Sequence, residues 1–343
     1  MATFDWARRD REDLAQVAAV VRAWMDYAAE APLYRALAGA IADDEEMLRL
    51  VARIDNVPPL NLLFAGVKLM LRTDDALAAW YPHLVAGEAR SPDGAFAAFR
   101  EYALAHEEAL VRIGRERRTQ TNEVARAAVL LPWLPRTEAP LHAIDIGASA
   151  GLNLCLDRFA YRYRRDGDAT RLGDGPLLLD CEDRGGFALP PEPPRLASRT
   201  GIDLHPIDPA DPDAAAWLEA LVWPDHQDRL ERLRHALELR RSVGVRMVAG
   251  DAATVLADVE RAMPPGPLAV WHTIALYQAD EGARVDIDAA VEDAARRRDV
   301  TRVGFEPVEE SLHPVVRVGP SFDHAETVAV AHSHARWIDR PPF

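Results

Sequence analysis

The chain has 343 residues, 49% of them hydrophobic, enough for a large core and long enough for two domains. Its 40 basic and 55 acidic residues leave a net charge of −15, the wrong sign for a protein that must neutralise nucleic-acid phosphates; a small-molecule or protein partner is favoured. Two cysteines, Cys155 and Cys181, are too few for a disulfide scaffold. Residues 1–14 contain no stretch like a signal peptide, and no apolar run reaches the ~20 residues of a membrane helix, so a soluble cytoplasmic protein is expected.

Residues 1 to about 135 read as successive helices. Leu14, Val17, Val21, Trp24 and Ala28 recur at helical spacing, and Pro32 can open a second helix. Asp43–Asp44 caps a segment through Met47, Leu48 and Val51; Pro58–Pro59 precedes another from Leu60 to Leu71. A longer segment runs through Phe96, Phe99, Tyr102 and Leu110, and Val124 to Leu131 follows a polar Thr-Asn-Glu. Pro132 to Pro140 forms a proline-rich boundary. No strand is expected in this half.

From Leu141 short apolar runs alternate with helical stretches. Strands are expected at Leu141–Ile146, Thr200–Leu204, Val245–Ala249, Leu268–His272 and Val303–Phe305, with Val315–Val318 and Thr327–His332 as a closing pair. Helices are expected from Leu152 to about Phe159, from Asp211 through Leu221, and over Leu230–Arg240, Ala253–Ala262 and Val285–Arg297. Such alternation implies right-handed crossovers and a mostly parallel sheet. Tyr161 to Arg199 fits poorly, although Leu177–Leu179 is a strand candidate. It is read as an insertion long enough to help cover a site.

The sharpest chemical signal is Asp145-Ile146-Gly147-Ala148-Ser149-Ala150-Gly151, between a strand and a helix. Small residues there allow a tight turn and close approach of a ligand to the backbone, and free N–H groups of the following helix attract polar groups. Asp145 would repel a phosphate but suits a cationic amino group. Asp203, in Gly201-Ile-Asp-Leu-His-Pro206, ends the next strand, where carboxylates hold ribose hydroxyls. Asp251, in Ala249-Gly-Asp-Ala252, follows the third and could accept from an adenine amino group. Ligands in open parallel sheets bind beyond the carboxyl ends of strands, where all three acids fall.

In this order, the segments resemble those of class I S-adenosylmethionine-dependent methyltransferases from Leu141 to about Asp339. The resemblance implies a Rossmann-like, seven-stranded, mostly parallel α/β sheet whose last strand is antiparallel. It implies S-adenosylmethionine as cofactor, touching Asp145, Gly147, Ala148, Ser149, Gly151, Asp203 and Asp251. The expected domains are a helical one at 1–137, a lid or substrate domain, and a cofactor-binding one at 138–343 with the insertion at about 161–199. Ser149 replaces the commoner middle glycine, the gap to Asp203 is long, and Trp271-His272-Thr273 replaces the Asn-Pro-Pro-Tyr type motif of nucleic-acid amino-methylating enzymes. Arg117-Arg-Thr-Gln-Thr-Asn-Glu123, Gly147 to Leu154 and Trp217 to Pro224 make the whole chain similar to an uncharacterised bacterial family, a domain of unknown function.

His272, at a strand end, is the candidate general base, with Tyr277 beside it; Arg118, Gln120, Asn122 and Glu306 are substrate-side candidates. Set against these are a buried, hydrogen-bonded histidine and ordinary caps and solvated charges. Gly147-Ala-Ser-Ala-Gly151 also matches the G-x-S-x-G elbow of serine hydrolases, with Ser149 as nucleophile, but no strands precede it. His313, His324, His332 and His334 lack a carboxylate or cysteine to complete a metal set, so no metal is expected. The expected activity is methyl transfer to an unknown small-molecule or protein acceptor; a binding module without chemistry is the alternative.

Overall fold

The computed structural model describes residues 10–309, 311–321 and 325–342. The helices are α1 (Leu14–Tyr27), α2 (Pro32–Ile41), α3 (Glu45–Ala52), α4 (Pro59–Met70), α5 (Ala95–Ala105), α6 (Glu107–Glu116), α7 (Arg126–Leu130), α8 (Pro212–Leu221), α9 (Gln227–Ser242), α10 (Ala252–Arg261) and α11 (Glu281–Ala295). The strands are β1 (Leu141–Ile146), β2 (Phe159–Arg165), β3 (Asp168–Leu172), β4 (Leu177–Asp183), β5 (Leu196–Asp203), β6 (Arg246–Ala249), β7 (Leu268–Thr273), β8 (Val300–Glu306), β9 (Val315–Val318), β10 (Glu326–Ala331) and β11 (Trp337–Asp339). His324, one of the histidines weighed as a ligand, lies outside the described residues.

The chain forms two compact units. The helical unit holds residues up to 121 together with 211–231, and the sheet unit holds 122–210 and 232 onward. The division therefore differs from the expected boundary at 137. In the helical unit, Asp13 and Asp44 accept from Ala15 and Met47 backbone N–H groups, removing orphan donors at the starts of α1 and α3. Helix α4 is buried from Pro59 to Lys68 and forms the centre of this core. Sequence alternation had placed α8 in the sheet domain as a crossover. Instead Trp217 and Ala220 join the helical core, and the buried Lys68 ammonium donates to the Glu219 and Val222 carbonyls at the end of α8. A cation there satisfies carbonyls that the helix itself cannot.

Among the described residues the sheet unit contains one eleven-stranded sheet, not seven, in the order β3-β2-β4-β11-β10-β9-β8-β7-β1-β5-β6. Strands β6, β5, β1, β7 and β8 are all parallel. Numbered within themselves they run 3-2-1-4-5, the doubly wound order. Ile144, Ile146, Ile202, Leu268 and Val270 pack on one face against Leu256 and Val259 of α10 and Ile287 and Val291 of α11. The antiparallel closing pair is present as β9 and β10.

The suspected insertion is where the extra strands come from. Strands β2, β3 and β4 extend the sheet, and β11 pairs with β4 to join them to the rest. The exposed Arg162 and Arg164 of β2 pair with Asp180 across the strands, while Phe159, Tyr161 and Tyr163 are buried. The helix expected from Leu152 is a single 3-10 segment, Asn153–Arg158, that runs directly into β2. Tyr161 Oη donates to the Leu156 carbonyl at 2.5 Å, tying that segment to the strand.

Candidate functional site

The bend after β1 is built tightly. Gly147, Ser149 and Gly151 have φ of +73°, +52° and +70°, the left-handed region where only glycine is unstrained. Each backbone N–H of the bend has a protein acceptor. Gly147 and Ala148 donate to the Ile202 carbonyl, and Gly151 donates to the Ala148 carbonyl at 2.7 Å. Ser149 donates to Asp203 Oδ2 at 2.8 Å and Ala150 to Asn122 Oδ1 at 3.3 Å. The expected free donors of a following helix are therefore not offered: there is no α-helix here, and the bend closes on its own neighbours. Gly147 is exposed, whereas Ala148 to Gly151 are buried. A side chain at Gly147 would meet the Ala275 Cβ at 2.4 Å, so the hollow left by the glycine is filled by the loop after β7.

The three acids lie at the carboxyl ends of adjacent strands but differ in kind. Asp145, paired in register with Gly201 and Trp271, is 2% exposed. Burial pushes its carboxyl up to about 8; the Trp271 indole and Arg126 partly offset this, and the Asp203 charge adds to it. Burial thus favours its neutral form, and it is not an open cation site. Asp203 is half-buried and also accepts from His205 N–H at 2.7 Å. Asp251 is exposed and caps α10, accepting from Ala253 N–H at 3.0 Å, an ordinary capping role. The strand ends are adjacent: Gly250 N–H donates to the Asp203 carbonyl at 3.0 Å. Leu204, next in sequence to Asp203, is 64% exposed.

His272 does not have the geometry of a free base. It is 2% exposed, its Nδ1 lies 2.7 Å from Glu306 Oε1, and its Nε2 accepts from Arg302 Nε at 3.3 Å. Burial lowers its pKa, opposed by the Glu306 hydrogen bond and assisted by the Arg302 charge. The ring lies against Gly304, where a Cβ would meet its Cε1 at 2.5 Å. Arg302 also pairs with Asp288, and beside it is a small cavity, with room for about one water, lined by His272, Glu306 and Arg317 among others. Glu306, a substrate-side candidate, instead accepts from the backbone N–H groups of Ala275, Leu276 and Tyr277 at 3.0–3.3 Å. Tyr277 itself is exposed, at the tip of that loop.

The polar stretch before Val124 divides. Arg118 and Gln120 belong to the helical unit, where Arg118 donates to the Arg115 and Arg117 carbonyls. Asn122 belongs to the sheet unit and donates from Nδ2 to Ser149 Oγ at 2.9 Å. An amide donor cannot take the serine proton, so Asn122 is not a base for Ser149. A further cluster at these strand ends was not assembled from sequence. Arg126 donates to the Thr273 and Ser333 carbonyls, and buried Glu123 accepts from Arg232 Nε at 3.1 Å with His334 Nδ1 at 3.6 Å. Its signal was a glutamate and an arginine inside a run, 123–131, that is buried throughout. His332 and His334 are joined by a backbone-to-ring hydrogen bond of 3.1 Å, and His332 packs edge-on to Trp337.

A family model matches residues 18–340. The chain belongs to DUF2332, a family of uncharacterized proteins conserved in bacteria. The match spans both units, so the helical unit is part of what defines a DUF2332 chain. No curated protein and no solved structure matches it. Among the described residues, no helix is long and apolar enough to cross a membrane.

Proposed function

We propose that this DUF2332 chain binds S-adenosylmethionine through its adenosyl group at the β5 and β6 strand ends and is a methyltransferase for a small-molecule or protein acceptor. The observation that carries the reading is that Asp203 pairs in register with Ala249 and its carbonyl accepts from Gly250 N–H, so Asp203 and Asp251 follow neighbouring strand ends of a doubly wound block. A carboxylate has about four acceptor sites. Asp203 uses two on backbone N–H groups and Asp251 one on its cap, which leaves acceptors for ribose hydroxyls and an adenine amino group. Exposed Leu204 offers the apolar surface that a flat base needs. These residues fit the adenosyl portion. The bend fits less well, because its N–H groups are bonded and Ala275 fills the hollow at Gly147. When bound, the cofactor would supply an electrophilic methyl group; the protein's part is to orient it and to position the acceptor.

Binding without transfer is a second reading, favoured by one observation: both nitrogens of His272 are engaged within the protein. Titration calorimetry with S-adenosylmethionine tests the common step. Wild type should bind, and Leu204→Gln and Asp251→Asn should each weaken binding about tenfold, near 1.4 kcal/mol. Asparagine keeps the helix cap, so its loss would be a ligand effect. Absence of binding at about 1 mM, near 4 kcal/mol of affinity, would remove the proposal. Labelled methyl transfer to a metabolite and protein mixture then separates enzyme from module.

A further inference from the structure

We infer that the loop after β7 is a plug over the glycine-rich bend, held shut by Glu306 as a positioning residue, and that the cofactor's methionyl end reaches the bend only when this loop lifts. The inference rests on the adenosyl reading and adds a gate to the same site. Three observations converge on it.

The first is occupancy. Gly147 is the exposed point of the bend, and Ala275 fills the direction in which its side chain would point. The second is strain on both sides of that contact. Ile274, next to Ala275, has φ +51°, and Ser149 has φ +52°. A β-branched residue in the left-handed region is an outlier, and such residues persist only where surrounding contacts hold them.

The third is the device that holds the loop. Ile274 N–H still donates to the Phe305 carbonyl at 2.7 Å, so the β7–β8 ladder runs to the strained residue. Immediately beyond it, the N–H groups of Ala275, Leu276 and Tyr277 all converge on the Glu306 carboxylate. That carboxylate is fixed from behind by His272, which accepts from Arg302, itself paired with Asp288. Leu276 is buried against the core that includes α10 and α11, while Tyr277 is exposed at the tip. One anchored end, one exposed tip and a strained hinge are the features a segment able to lift requires.

Amide exchange by mass spectrometry, with S-adenosylhomocysteine as the probe, tests this on the full chain. Residues 275–277 should exchange slowly in wild type and faster once the probe binds. Glu306→Gln should speed exchange without the probe and tighten apparent binding about tenfold, because a larger fraction of molecules is open. Ala275→Gly removes the filling methyl, leaves the carboxylate in place, and should also tighten binding; it keeps the test alive if Glu306→Gln fails to fold. Probe binding with unchanged exchange at 275–277 and wild-type affinity in the variants would overturn the plug alone. No binding by wild type or by either variant would overturn the adenosyl reading and the plug with it.

Discussion

Two stretches of one sheet edge have been given opposite chemistry. At the ends of β5 and β6, Asp203, Leu204 and Asp251 are half-buried or exposed, and their carboxylates retain acceptor capacity. Along β7 and β8, His272 and Glu306 near the strand ends and Arg302 within β8 are buried and bonded to one another and to the backbone. Polar residues at strand ends are therefore not equivalent. The outer pair is suited to meeting a ligand and the inner group to holding a loop, because desolvated charges are tolerated only when the protein itself satisfies them.

The contrast breaks most severely at Arg302. Arg302→Leu leaves Asp288 without its buried partner and should cost about 3 kcal/mol in urea denaturation, partly recovered in the Arg302→Leu/Asp288→Leu double variant. Gly304→Ala forces a methyl against the His272 ring and should cost about 2 kcal/mol, seen as a lower Tm. Next comes Asp145, whose folded carboxyl titrates near 8 against 3.8 unfolded. The folded state keeps a proton that the unfolded chain has lost, so stability should fall as pH rises through that window. Asp145→Asn should flatten this slope and stabilise the protein at pH 8 by more than about 1.4 kcal/mol, the worth of one pKa unit. His272 has the opposite sign: its lowered pKa contributes stability that is lost as pH falls below 6.5, and His272→Gln should remove that acid-side loss. The smallest effect belongs to the outer edge, where Asp251→Ala should cost about 1 kcal/mol through the lost cap and Asp251→Asn only a few tenths.

Much of this was legible in residue order. Strands β1 and β7 announce themselves because strands buried on both faces read as apolar runs, as Leu141 to Ile146 and Leu268 to Thr273 do. Strand β3 is exposed at four of its five residues and carries almost no burial signal, so its sheet could not be counted. Helix α8 carries a good cap at Asp211, which identifies the helix but not the core that Trp217 joins. At the site, small residues and acids marked the strand ends correctly. Their partners were hidden: Asn122 meets Ser149, Glu306 meets the 275–277 amides, and Glu123 meets Arg232 across long stretches of chain. No local periodicity encodes such pairings.

Strand β11 has a consequence for how the molecule is made. It lies between β10 and β4, so the mid-chain strands β2, β3 and β4 reach the rest of the sheet through residues 337–339. During synthesis β4, complete at Asp183, waits with one row of backbone groups unmatched until its neighbour β11 begins at Trp337. Closing so wide a chain loop carries an entropic cost before any contact rewards it. A nascent chain halted after β10 would leave those strands as an unfinished seam, exposed to pairing with another molecule.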